Sequence, residues 1–113
     1  MTGSNKLATA EQMIAHYNAQ DVEAYVALMT EGAAEASYRG AVLRDGKEGV
    51  RSGLAKTFAE FPENRAEIVE RQVLGDYVIF LERVWRTAAG APFDVLAIYS
   101  FEGDKCSRVE FVR

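Results

Sequence analysis

Cysteine is almost missing from this chain of 113 residues: Cys106 is the only one, so no internal disulfide can form. That fits a reducing, cytoplasmic setting. Histidine is equally scarce. His16 stands alone, with no cysteine or carboxylate at ligand spacing, so no protein metal site is expected and no cofactor is called for. No basic run exists among 13 Lys and Arg against 17 Asp and Glu, for a formal charge of −4. Nucleic acid is held mainly by neutralising phosphates, so that partner is not expected. No apolar run approaches the roughly 20 residues that cross a bilayer, so no membrane partner is expected either. The opening MTGSNKLATAEQ has no apolar core of the kind a secretory signal carries. A phosphate loop is also missing. Gly46-Lys47-Glu48-Gly49 with Gly53 has no Lys-Ser or Lys-Thr at the required spacing, and Glu48 would repel phosphate.

What the chain does have is apolar and aromatic mass. About half its residues are apolar, with six Phe, five Tyr and one Trp. That suffices for one core, and the length suggests one domain over residues 1–113 with a loose stretch over 1–8. Thr9-Ala10-Glu11-Gln12 reads as a capping box, followed by Met13, Ile14 and Tyr17 at helical spacing to about Ala19. Asp21 caps a second helix with Val22, Tyr25, Val26 and Met29 on one face, ending at Gly32. Glu35 to Gly40 is a short strand candidate, and Arg44-Asp45-Gly46 a turn. Lys47 to Phe61 reads as a third helix stopped by Pro62; Gly49 and Gly53 inside it each cost about 1 kcal/mol relative to Ala, which suggests close packing or tolerance.

From Ala66 onward the chain is strand-like. Ala66 to Leu74, Asp76 to Thr87, Phe93 to Glu102 and Lys105 to Arg113 are separated by short Gly-containing joints, which predicts an antiparallel meander. Helices first and a meander afterwards is an α+β order, with helices on one face of a twisted sheet.

This layout resembles the nuclear-transport-factor-two-like, or SnoaL-like, superfamily. Asn18-Ala19-Gln20-Asp21 with Tyr25-Val26-Ala27-Leu28-Met29 is similar to its joint between the first two helices. Gly46-Lys47-Glu48-Gly49-Val50 is similar to its third-helix start, and Gly75-Asp76-Tyr77-Val78 and Gly90-Ala91-Pro92-Phe93 to its hairpins. The resemblance runs from about Thr9 to Arg113. It implies a cone-shaped curved sheet wrapped around three N-terminal helices, a cystatin-like α+β roll with a pocket at the wide end, and frequent homodimers. Two enzyme types of the superfamily can be compared by position. Where steroid delta-isomerases carry a Tyr, a base Asp and a protonated Asp, this chain has Met13, Ser37 and Ala97. Where limonene epoxide hydrolases carry Glu-Arg-Val-Asp, it has Glu82-Arg83-Val84-Trp85, with the second Asp falling at Phe111 or at Glu110. The resemblance therefore carries over an arginine but neither catalytic set.

The long strand Gly75 to Thr87 has two partly apolar faces. With Ile79, Leu81, Arg83 and Trp85 turned inward, the cavity would be lined by Met13, Tyr17, Ser37, Phe58, Arg83, Trp85, Ala97, Tyr99 and Phe111, with Tyr38 also beside it. Arg83 would be a polar anchor in an apolar pocket, a structural partner of Glu35, or an arginine snorkelling to the rim. Glu35, His16 and Glu110 are the acid–base candidates beside it. Val78, Phe80 and Val84, with Leu96 and Ile98, would then form an exposed apolar face suited to a two-fold homodimer. Three readings stay open: a binding domain for a small apolar or amphipathic ligand; a small isomerase, cyclase, dehydratase or hydrolase; and a dimeric scaffold whose pocket is filled.

Overall fold

A computed structural model describes residues 2–113, with side chains from Asn5 onward. Helix α1 spans Thr2–Ala19, α2 Val22–Ala27 and α3 Gly46–Glu60. Strands β1 (Met29–Ser37) and β2 (Val42–Asp45) precede α3, and β3 (Arg65–Leu74), β4 (Tyr77–Trp85), β5 (Phe93–Glu102) and β6 (Lys105–Val112) follow it. The six strands form one curved, open sheet in the order β2-β1-β6-β5-β4-β3. β3 to β6 are antiparallel neighbours in sequence order, and β1 returns parallel to β6. The α+β roll implied by the resemblance is the fold observed.

Local chemistry accounts for the joints. Asp21 accepts from the Ala24 amide at 3.1 Å and starts α2, and Lys105 Nζ donates to the Ala27 carbonyl at 2.7 Å near its end. Asn18 clamps α1 to β3 by bonding both the N–H and the carbonyl of Ala66, each at 2.8 Å. Gly75 turns the β3–β4 hairpin at φ 59°, where a Cβ would be strained.

Three boundaries differ from the sequence expectation. Residues 2–8 are helical, not loose; Met1 lies outside the described residues. Thr9 is therefore inside α1, and its hydroxyl donates back to the Asn5 carbonyl at 3.0 Å instead of capping. The second helix stops at Ala27, and β1 begins at Met29 because its backbone pairs with Cys106 of β6. β2 was hidden behind the turn signal of Arg44-Asp45-Gly46.

The larger correction is the parity of β4. Val78, Phe80, Glu82 and Val84 are the buried set, facing the helices, while Ile79, Leu81, Arg83 and Trp85 lie on the opposite, convex face. Phe80 stacks edge-on against Tyr99 at 5.2 Å inside the main core. Both alternating sets are apolar enough to be covered, so alternation alone does not choose between them.

Candidate functional site

The concave side of the sheet and the helices enclose a cleft of about 570 Å³. Its depth is polar. Glu35 of β1 is 1% exposed and fully engaged: Arg44 Nη1 donates to Oε1 at 2.7 Å, and the Tyr25 hydroxyl donates to Oε2 at 3.0 Å. Arg44 also donates to Thr57 Oγ1 at 3.1 Å, so β1, β2, α2 and α3 meet on one ion pair. A buried carboxyl group needs such a set of partners to offset its lost hydration.

Glu82 of β4 is held differently. It is 5% exposed, and the Tyr99 hydroxyl donates to its Oε2 at 2.6 Å. Among the described residues its Oε1 has no hydrogen-bond partner, yet it is not a sealed, unpaired atom, so it opens on the cleft. No cation pairs with it among the described residues. Burial, helped by the nearby charge of Glu35 and opposed by the Tyr99 hydroxyl, raises its carboxyl to about 7. Burial likewise pushes the Tyr25 and Tyr99 hydroxyls well above their ordinary range, with the neighbouring carboxylates adding to it, so both are neutral donors. Burial raises the Cys106 thiol to about 12, which leaves it unreactive.

The walls are apolar: Ile14, Leu54, Val84, Val95 and Phe111 line them, with Tyr17 from α1 and Ser37 from β1. The mouth carries Tyr38, Leu43, Phe93, Arg86 and Arg113. No group of His, Cys, Asp and Glu among the described residues has the geometry to hold a metal ion, and no helix is long and apolar enough to cross a membrane.

Of the residues expected to line the cavity, Tyr17, Ser37, Tyr99 and Phe111 do so, as do Tyr38 and Glu35. Met13, Phe58 and Ala97 are core residues behind the wall; Phe58 meets the Tyr17 ring edge-on at 5.3 Å. Arg83 and Trp85 are outside it altogether. Arg83 pairs with Asp94 at 2.9 Å on the convex face, and Trp85 is covered there by the Arg65 guanidinium at 3.8 Å. Arg83 is thus not the partner of Glu35. Glu110 is also on the convex face, 3.4 Å from Arg108, and His16 does not line the cleft. Val78, Phe80 and Val84 belong to the interior, so the outer apolar face expected from them is composed otherwise. Glu82, Tyr25, Arg44 and Arg86 were not singled out as cavity residues. The signal for Glu82 was its place between Phe80 and Val84, a lone carboxylate among apolar neighbours of the same parity.

Comparison with known proteins agrees with this architecture. An uncharacterised cystatin-fold protein from Novosphingobium aromaticivorans is 59% identical, with a TM-score of 0.90 over 96% of this chain and 97% of that one. A candidate polyketide cyclase from Sinorhizobium meliloti is 16% identical, with a TM-score of 0.79 over 92% and 93% of the two chains. A candidate ketosteroid isomerase from Kribbella flavida is 12% identical, with a TM-score of 0.82 over 97% and 78%. The last two likenesses are of fold alone. No functionally curated protein matches the sequence. The SnoaL-like domain model matches residues 10–109, and the chain therefore belongs to the SnoaL-like domain family.

Proposed function

We propose that this protein binds a small amphipathic ligand in the cleft and moves a proton to or from it through Glu82. One observation carries the reading: a buried carboxyl near 7 whose free oxygen faces a cleft of ligand size. A volume of about 570 Å³ falls within the roughly 300–1,000 Å³ of small-molecule sites, and counts against a filled scaffold. An acid–base group works best when its pKa lies near the working pH. Tyr99, neutral and 2.6 Å from Oε2, orients the carboxyl and stabilises the ionised form each time it appears. Glu35 is unsuited to the task, because both of its oxygens are occupied. The reaction class that suits one carboxylate beside apolar walls is proton transfer at a carbon next to a carbonyl, as in isomerisation or cyclisation.

The test has two stages. Steroid, polyketide, terpene and aromatic-acid ligands are screened by thermal shift. Binders with an enolisable carbon are then incubated in D2O and followed by NMR. Deuterium uptake is expected with the natural protein and should fall by about 10²–10⁴-fold in Glu82→Gln with binding retained. Binding with no exchange, or exchange unchanged by the substitution, would leave a plain binding protein and defeat the acid–base role.

We also propose a two-fold homodimer, through the convex face of the sheet. Its support is the register: Ile79 lies opposite Ile98 and Leu81 opposite Leu96, giving four adjacent, partly exposed aliphatic side chains.

A further inference from the structure

We propose that the mouth of the cleft selects ligands bearing an anionic group, held by Arg86 and Arg113 beside Phe93, while the apolar body of the ligand reaches inward to Glu82. This rests on the ligand-binding reading above and adds the class of ligand.

Both arginines line the cleft. Their guanidinium carbons lie 5.2 Å (Arg86) and 4.3 Å (Arg113) from the centroid of the Phe93 ring, so two cations share one aromatic side chain. Neither forms an ion pair among the described residues, although Lys6, Arg44, Lys47, Arg51, Arg71, Arg83 and Arg108 all do. The side-chain partner of Arg86 is neutral: its Nη1 donates to Asn64 Oδ1 at 2.8 Å. Asn64 is 2% exposed and donates in turn to the Tyr17 hydroxyl at 2.7 Å, so Arg86 is positioned from behind without losing its charge. A guanidinium has five donors in a planar fork, and Arg86 spends one of them. Both guanidiniums therefore keep donors for an anion that enters the mouth, which can accept paired hydrogen bonds from them.

The rest of the cleft enforces one orientation. Its deep end holds Glu35 and Glu82, which disfavour a second anion there. Arg86 lies just past the end of β4, four residues beyond Glu82; it is half-buried at the mouth, whereas Glu82 is buried, and both line the one cleft. For a chain of net charge −4, a doubly cationic mouth is also a local reversal of field that draws anions inward.

The test uses two fluorescent probes that differ in one group, 8-anilinonaphthalene-1-sulfonate and neutral N-phenyl-1-naphthylamine, shown by mutual displacement to share one site. The sulfonate is expected to bind about tenfold more tightly, an advantage that falls as salt rises. Arg86→Gln and Arg113→Gln should each shrink that advantage, and the double variant should remove it, read as the ratio of the two probes' affinities within each variant. Arg113 is exposed, so its variant tests the idea even if Arg86→Gln perturbs folding; Arg86→Lys should keep part of the preference. Equal affinities in the natural protein, or a preference that survives in the double variant, would overturn the anion selectivity while leaving the cleft a ligand site. Binding of neither probe would overturn both.

Discussion

Glu82 couples the candidate chemistry to stability. Unfolded, its carboxyl ionises at an ordinary pKa of 4.5; folded, it ionises at about 7. Between those values the folded chain keeps a proton that the unfolded chain has released. Stability from this residue is complete below pH 4.5 and is lost as pH rises through 7, by ~3 kcal/mol in all. Glu82→Gln replaces the carboxyl with a neutral group of the same size that still accepts from Tyr99. The variant should match the natural protein near pH 4.5 and exceed it above pH 7 by up to that amount. Urea titrations at a series of pH values measure this. A difference that does not change with pH would mean that Glu82 is ionised throughout, and the proton-transfer reading would lose its basis.

At the scale of elements, the pairing of β2 with α3 depends on a glycine. A Cβ on Gly53 would stand 2.7 Å from Arg44 Cδ, so the arginine lies directly across the helix on its way to Glu35. Gly53→Ala gains about 1 kcal/mol in helix propensity but displaces a side chain held by a buried carboxylate. The net change should be a loss of about 1–3 kcal/mol. Arg44→Ala, which strands Glu35 without a cation, should cost about 3–5 kcal/mol. Adding Gly53→Ala to the Arg44→Ala chain should then be neutral or stabilising. Chemical denaturation of the four proteins closes this cycle, and simple additivity would show that Gly53 is not there for Arg44.

The same region shows how far the sequence could be read. The Gly joints at Gly75 and Gly103 marked their hairpins, because a positive φ is where glycine is cheapest. The spacing of Val50, Leu54 and Phe58 marked the buried face of α3. Gly49 and Gly53 suggested close packing or tolerance without naming a neighbour; at Gly53 the neighbour is the Arg44 side chain, which only the folded arrangement of β2 against α3 brings there. β2 is four residues long and owes its existence to pairing with β1, so no local pattern reveals it. The parity of β4 was open for a related reason: Ile79, Leu81 and Trp85 compete with Val78, Phe80 and Val84, and only the position of the helices decides. That one choice moved Arg83 out of the cleft and Glu82 into it.

For the whole molecule, the reversed parity keeps the proposed subunit contact on the outer face of the sheet and changes the β4 residues that compose it. The convex face now presents Ile79, Leu81, Leu96 and Ile98, with Trp85 under Arg65 at one side and the Arg83–Asp94 pair beside Leu81. A two-fold axis through this face would stack each aliphatic patch on its copy, leaving the charged pairs at the rim where they need not be desolvated. The cleft opens on the opposite, concave side, so dimerisation and ligand entry should not compete. Light scattering at micromolar concentration is expected to give about twice the chain mass of 12.5 kDa. Leu81→Glu places a carboxylate in the centre of the patch and, doubled by the symmetry, opposes two like charges across it. That variant should run as a monomer, keep its circular dichroism spectrum, and still bind probes in the cleft. A natural protein that is monomeric under these conditions would mean that the four aliphatic side chains are tolerated as surface, and that the fold closes its core without a second copy.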